Sequence, residues 1–272
     1  MSIGFQNLHT HTTYCDGSQK PEALVKAAIR KGMGSIGFSE HSYIGFDTYY
    51  AMDADVSDDY IMDVLTQRER YKDFIEVFLG LERDYLSDSV PDGLDFVIGT
   101  AHYVEKGGSY ISVDAGSVHQ NTMVKENFGG DYYALAEDYF EVMAGIVRKT
   151  NADIVGHFDL VAKYNITGHL FDESHPRYVN AALCAMDEVL KDCNLFEVNT
   201  GAMYRLGKSE PYPSVFLLKE LQKRGGEVIL SSDSHDAGSL CFMFREMHEL
   251  LRHCGFKYIK RLTKDGFVDI PL

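Results

Sequence analysis

The stretch Phe5-Gln6-Asn7-Leu8-His9-Thr10-His11 decides how this chain is read. An apolar run ends in two imidazoles spaced i and i+2, and in a strand those positions point to one face. Near the other end, a second run closes on Ser232-Asp233-Ser234-His235, which brings a carboxylate and a third imidazole at the same spacing. Between them Glu40-His41, Glu82, His102 and His157 also close apolar runs. Side chains of this kind, so densely placed, point to a polynuclear metal site.

Seven short apolar runs carry these residues: 5–9, 35–40, 77–82, 96–102, 153–157, 195–199 and 228–233. Amphipathic segments separate them. Pro21 opens a helix whose Leu24, Ala27 and Ala28 share a face, and Gly32 ends it. Val179, Ala182, Leu183, Met186, Val189 and Leu190 follow the 3.6-residue period. Leu240, Met243, Phe244, Met247, Leu250, Leu251 and Cys254 do the same. Strands alternating with helices imply parallel βαβ units, most simply closed as an α/β barrel. An open doubly wound sheet is the alternative, but no Gly-rich phosphate loop follows any strand. Residues 103–131, with Gly107, Gly108, Gly129 and Gly130, are weakly periodic and read as a long loop over the site. No linker or repeat marks a second domain, so residues 1–272 are read as one barrel domain.

A barrel gives the ligand placement its reason. The C-terminal ends of parallel strands meet on one face, where active sites are built. His9, His41, Glu82, His102, His157 and Asp233 each sit at or just past a strand end, so separate strands deliver them to one rim. Asp16, in the loop after the first strand, adds another carboxylate. Imidazole with carboxylate suits zinc, manganese or iron. Nine candidates exceed one tetrahedral zinc, so two to three ions are expected.

Composition frames the partners. A formal charge of -15 argues against a nucleic-acid ligand, which Lys and Arg excess would grip. No apolar run reaches the roughly 20 residues of a membrane helix, and no signal-peptide pattern opens the chain. The five dispersed cysteines, Cys15, Cys184, Cys193, Cys241 and Cys254, read as reduced core residues of a cytoplasmic protein.

The ordered motifs His9-Thr10-His11 with Asp16-Gly17, Phe38-Ser39-Glu40-His41, Gly80-Leu81-Glu82, Gly99-Thr100-Ala101-His102, Gly156-His157 and Ser232-Asp233-Ser234-His235 resemble those of the polymerase-and-histidinol-phosphatase (PHP) superfamily. Within it, residues 94–102, Gly156-His157-Phe158-Asp159-Leu160 and Glu197-Val198-Asn199-Thr200-Gly201 through Arg205 are similar to the monofunctional L-histidinol-phosphate phosphatases. The resemblance runs from about Leu8 to His235. It implies a distorted (β/α)7 barrel with a trinuclear centre. His9 and His11 would hold a first ion with Asp233, and Glu82 would bridge to a second ion completed by His102 and His157. Asp16, His41 and His235 would hold a third. Lys163 stands where an arginine often contacts phosphate, and Arg205 matches a second phosphate-gripping arginine. Lysine there is a departure, since it offers a point charge without the bidentate fork. Glu40, where many relatives have Asp, is a smaller one.

The implied reaction is hydrolysis of L-histidinol phosphate by a hydroxide bridging two ions, with phosphoryl charge absorbed by the third ion, Lys163 and Arg205. No covalent intermediate is required. The other readings are a PHP phosphoesterase acting on nucleotides or nucleic-acid ends, which the acidic balance disfavours, and a metal-binding domain without activity, which the intact donor set disfavours. Glu105, Asp114 and His119 are candidates to meet a cationic leaving group.

Blander readings suit the remaining features. His119, His169, His175, His248 and His253 lack a strand-end setting and read as surface or structural. Ser232 near His235 has no nucleophile elbow around it. Asp53, Asp55, Asp58 and Asp59 read as a solvated loop entering a helix rather than a calcium site. Tyr132, Tyr133, Tyr139, Phe140 and the methionines read as core packing.

Overall fold

The structure, a computed structural model, describes residues 4–47, 49–53, 56–87, 90–166 and 170–272. Asp55 and His169 lie outside the described residues. Seven parallel strands form one sheet in the order β1 (Gln6–Asn7), β2 (Ser35–His41), β3 (Glu76–Asp84), β4 (Phe96–Thr100), β7 (Ile154–Val155), β8 (Leu195–Asn199) and β9 (Glu227–Ser231). Beyond the sheet, His11 N–H donates to the Ser234 carbonyl at 2.8 Å and Ser234 N–H to the His9 carbonyl at 3.0 Å. That parallel bridge between Thr10 and Ser234 joins the two edge strands and closes a distorted (β/α)7 barrel. β1 and β7 are short because the chain leaves the ladder early there, and the seven expected runs all map onto strands.

The barrel interior is filled from below by Leu8, Phe78, Phe96, Ile98, Ile154, Leu195, Ile229 and Leu262. Phe96 reaches the centre because Gly37 and Gly80 present no side chain: a Cβ on Gly80 would lie 2.2 Å from its ring. Leu262 comes from a hairpin, β10 (Tyr258–Thr263) and β11 (Gly266–Pro271), whose Leu262 backbone pairs with the Gln6 amide at 2.8 and 2.9 Å. This plugs the barrel end opposite the candidate site and leaves the upper rim for chemistry.

Helices cover the outside. α1 (Pro21–Arg30) buries Leu24, Val25, Ala27 and Ala28, and Gly32 follows it at φ 70°. α2 (Ser57–Tyr71) opens with Asp58 and Asp59 in its first turn, where the helix dipole favours them. α6 (Pro176–Val189) buries Tyr178, Ala182, Ala185, Met186 and Val189, and His175 caps it by accepting the Arg177 N–H. α8 (Val215–Lys223) and α9 (Phe244–Cys254) pack together beside the last strand. Leu240 and Met243, which fit the period of α9, precede it in a turn; both still pack into the apolar layers.

The loop expected over residues 103–131 is instead structured. β5 (Tyr103–Lys106) and β6 (Ser109–Ser112) form a hairpin turned by Gly107 and Gly108, both at positive φ, the condition for a tight two-residue turn. α3 (Ser117–Phe128) follows. Its buried face is Gln120, Val124 and Phe128, and a glutamine at a core position hides the apolar period. The Gln120 amide donates to the Val113 and Val161 carbonyls at 3.4 and 3.3 Å. α4 (Tyr132–Ala144) is capped by Asp131 and buries Tyr139 and Phe140; α5 (Ile146–Thr150) and α7 (Gly201–Leu206) are short.

Candidate metal centre

Eight of the nine expected ligands approach one another directly around Glu82 and Asp233, and Asp16 joins them from the rim. Glu82 lies near the C-terminal end of β3, two residues before Asp84, and is buried. Its Oε2 lies 2.8 Å from His41 Nδ1, 3.1 Å from His9 Nε2 and 3.4 Å from His11 Nε2. Its Oε1 lies 2.9 Å from His157 Nε2 and 3.5 Å from His102 Nε2. Asp233 Oδ1 stands 3.2 Å from His11 Nε2, 3.7 Å from His9 Nε2 and 3.6 Å from His235 Nδ1. Asp16 reaches His235 Nε2 at 3.2 Å and His41 Nε2 at 3.8 Å.

Local backbone explains the placement. Asp233 takes φ 44°, a left-handed conformation uncommon outside glycine, which re-aims its carboxylate at the turn after β9. Gly17 lets the loop after β1 lie against His11: a Cβ there would sit 2.5 Å from the His11 carbonyl group. The neighbouring Asp16 is thereby held over the rim.

The donors fit metal ions. His9 Nε2, His11 Nε2 and Glu82 Oε2 are buried with no hydrogen-bond partner, although they lie within contact of one another. Polar atoms rarely stay buried and unpaired. Four compact donor groups occur among the described residues: His9, His11 and Asp233; His11, Asp16, His41 and His235; His41, Glu82 and His102; and His11, Cys15 and Glu40. His157 completes the second side of Glu82, its ring centroid 5.0 Å from that of His102. His11 stacks on His41 and lies tilted by 34° against His235, each at a centroid distance of 4.3 Å.

Electrostatics separates the imidazoles. Burial disfavours the His9 cation, yet Glu197, Glu82 and Asp233 hold its pKa well above the ordinary value. Burial also opposes charge on His41, but Glu82 and Asp16 raise it to about 9. For His11, burial together with His41 and His235 pushes the pKa down to about 3. Burial would raise the Glu82 carboxyl, but His41, His9 and His157 hold it well below the usual range. The carboxylates therefore stay ionised and His11 neutral, the forms that bind metal, while His9 and His41 favour protons that a bound ion would displace.

Arg205 and Lys163 share a cavity of about 460 Å³ with these residues. Arg205 donates to the Asp233 carbonyl at 2.6 Å and to Asp233 Oδ2 at 2.9 Å. Lys163 pairs with Asp114. Glu105 and His119 are exposed and stand outside the cavity wall. Ser232 is buried and its hydroxyl pairs with Ser234 at 2.7 Å, which leaves it no part as a nucleophile.

Two positioning residues escaped the sequence reading. Glu197 Oε2 lies 2.8 Å from His9 Nδ1 and also accepts the Ser231 hydroxyl at 2.6 Å. Asp84 Oδ2 lies 3.0 Å from His102 Nδ1. Each carboxylate accepts the Nδ1–H and leaves Nε2 free to face the centre. The signal existed: Asp84 repeats the i, i+2 spacing from Glu82, and Glu197 is an acid inside an apolar run. Cys15, read as core filler, instead donates its thiol to Glu40 at 2.7 Å and lies 3.5 Å from His11 Nδ1.

Known proteins resemble this chain in sequence and fold. A Deinococcus radiodurans protein named probable histidinol-phosphatase is 28% identical over 263 residues, 93% of this chain and 94% of the relative. The histidinol-phosphatase of Bacillus subtilis is 22% identical over 89% of this chain and 97% of its own length. Among solved structures, histidinol phosphate phosphatase from Lactococcus lactis, complexed with zinc, L-histidinol and phosphate, matches with a TM-score of 0.68 and 21% identity, covering 98% of this chain and all of that one. A Listeria monocytogenes structure matches at a TM-score of 0.77 with 16% identity, covering 89% of this chain and 99% of that one. The PHP domain family profile matches residues 7–201, well over half of the sequence, and the chain belongs to that family.

Proposed function

We propose that this chain is a metal-dependent phosphatase that hydrolyses L-histidinol phosphate to L-histidinol and phosphate in histidine biosynthesis. The observation that carries the reading is the ring of His, Asp and Glu donors around Glu82 at the base of a cavity that also holds Lys163 and Arg205. Relatives named for this activity, and the zinc, L-histidinol and phosphate bound by the Lactococcus lactis protein, support it.

His9, His11 and Asp233 would hold one ion, His102 and His157 a second, and Asp16, His41 and His235 a third, with Glu82 bridging. When bound, two to three zinc, manganese or iron ions supply water that ionises near neutral pH and positive charge beside the phosphoryl group. The protein supplies the rest. Glu197 and Asp84 fix the tautomers of His9 and His102. Arg205, anchored on Asp233, would offer its remaining N–H donors to phosphoryl oxygens, and Lys163 a point charge. Both would strengthen their grip as negative charge grows on those oxygens.

The substrate is a small monoester rather than a nucleic acid, in line with a net charge of -15. No helix among the described residues is long and apolar enough to cross a membrane. Five free cysteines suit a reducing cytoplasm. The test is a steady-state assay on L-histidinol phosphate, a sugar phosphate and a nucleotide. L-Histidinol phosphate is expected to lead by at least about a hundredfold in kcat/KM, around 3 kcal/mol of discrimination. Rates within about tenfold of one another would overturn the pathway role. Complementation of a cell lacking histidinol-phosphate phosphatase, on medium without histidine, tests it in vivo.

A further inference from the structure

The cavity wall carries five acidic residues: Asp16, Asp47, Glu82, Asp114 and Asp233. Four have partners of opposite or ligand type: Asp16, Glu82 and Asp233 face the imidazoles, and Asp114 pairs with Lys163. Asp47 has no cationic partner among the described residues, yet it is held firmly. Its Oδ2 accepts the Tyr103 hydroxyl at 2.7 Å and its Oδ1 the Tyr49 backbone N–H at 3.1 Å.

An aromatic wall connects this carboxylate to the metal centre. The Tyr50 ring meets His41 edge-on at 4.8 Å and lies 28° from parallel to Tyr103 at 6.4 Å. Tyr103 in turn meets Phe46 at 5.1 Å. The cavity thus holds Lys163 and Arg205 as its cations, and a carboxylate flanked by aromatic rings as its unpaired anion. A phosphomonoester whose leaving alcohol carries a cationic N–H group has the complementary pair of charges.

We infer that Asp47, held by Tyr103, is the specificity-determining residue that receives the cationic N–H group of the leaving alcohol, beside the rings of Tyr50 and Tyr103. This deepens the phosphatase reading and rests on it for the reaction, but not for product binding. It also moves the recognition of that group from Glu105, Asp114 and His119 to the loop after β2. A charged hydrogen bond in a half-buried cavity is the strongest polar contact available to a small amino alcohol.

Two measurements on the metal-loaded protein test it: calorimetric binding of L-histidinol, and the ratio of kcat/KM for L-histidinol phosphate to that for glycerol phosphate. Asp47→Asn is expected to weaken L-histidinol binding by about tenfold or more and to lower the ratio by a similar factor. Metal content, measured alongside, is expected to stay constant. Tyr103→Phe should move both readouts in the same direction by less, and Asp47→Glu should recover part of the loss. An undetectable wild-type affinity for L-histidinol, an unchanged affinity in Asp47→Asn, or equal losses on both esters would overturn the assignment. Failure of the wild type to hydrolyse either ester would overturn the reaction instead, while the binding comparison still decides Asp47. If Asp47→Asn fails to fold, Tyr103→Phe and Asp47→Glu carry the same comparison, and unchanged binding in both would overturn it.

Discussion

Arg205 Nη2 donates to Asp233 Oδ2 at 2.9 Å while the other oxygen of that carboxylate faces His11 at 3.2 Å. One carboxylate therefore links the guanidinium expected to grip phosphate with the imidazoles expected to grip metal. Burial disfavours the guanidinium charge, but Asp233 more than offsets it and keeps Arg205 charged. The arrangement holds the fork in place before substrate arrives, so little reorganisation is needed when charge develops.

Arg205→Ala should therefore lose transition-state stabilisation while keeping the ions. A loss of roughly 2–4 kcal/mol in kcat/KM is expected, with metal content near that of the wild type. Kinetics together with elemental analysis check it. Unchanged kcat/KM would remove Arg205 from the phosphate site.

Metal content itself is the second prediction. Purified active protein should carry two to three transition ions per chain, and strong chelation should abolish turnover. Chelation should also lower the melting temperature, since ions bind the folded state alone; ligand at about a hundred times its Kd contributes roughly 2.7 kcal/mol. Glu82→Ala should lose ions and activity together, because five imidazoles converge on that one side chain. One ion or none in active protein would defeat the polynuclear reading.

Most of this centre was legible because strand spacing is rigid. His9 and His11, or Asp233 and His235, announce a shared direction from sequence alone, and a barrel rim collects strand ends whatever the loops do. Asp84 and Glu197 were harder to see, since a carboxylate that orients an imidazole is recognised only once the ring's other edge is placed. Asp47 was invisible for a related reason: its partner Tyr103 is 56 residues away. α3 was lost because Gln120 fills a core position with an amide satisfied by two carbonyls, so polarity there reports a hydrogen bond and not exposure. The hairpin before it was signalled by Gly107-Gly108 but carries too few apolar residues to stand out.

Lys163 tests how far a point charge replaces a fork. It lines the cavity and is paired with Asp114. Lys163→Gln should raise KM or lower kcat/KM, while Lys163→Arg should retain much of the activity. Near wild-type kinetics for Lys163→Gln would make the lysine a structural partner of Asp114.

Asp159 makes stability depend on pH. It is buried, with Oδ2 accepting the Ser214 N–H at 3.0 Å and Oδ1 without a hydrogen-bond partner. Burial raises its carboxyl to about 6, against a weaker pull downward from Lys208. The folded pKa thus exceeds the unfolded value of about 4, so the stabilising contribution is full below that value and fades as pH rises through 6. Asp159→Asn removes this titration. The variant's stability relative to wild type should rise between pH 4 and pH 7, by on the order of 3 kcal/mol at most. Denaturant unfolding at several pH values checks it, and a difference that stays flat would show that Asp159 does not titrate there.

Glu197 is expected to govern metal affinity without touching an ion. Its two oxygens accept from four donors: His9 Nδ1 at 2.8 Å, the Ser231 hydroxyl at 2.6 Å, the His157 N–H at 2.5 Å and the Asn199 amide at 2.9 Å. Burial alone would raise its carboxyl, but His9 holds the pKa below the usual range, so the group is a carboxylate when it orients the ring. Glu197→Gln preserves shape but turns one acceptor into a donor. Whichever way the amide points, it confronts either the His9 and Ser231 pair or the His157 and Asn199 pair. Metal affinity should fall by about 10–100-fold, the usual effect of removing a carboxylate that orients a metal-binding imidazole. Activity should recover substantially when metal is supplied in excess, which a directly catalytic group would not allow. Competition against a chromophoric chelator measures the affinity, and kcat at saturating metal measures the recovery. Wild-type affinity in Glu197→Gln would show that His9 is oriented by the barrel backbone alone.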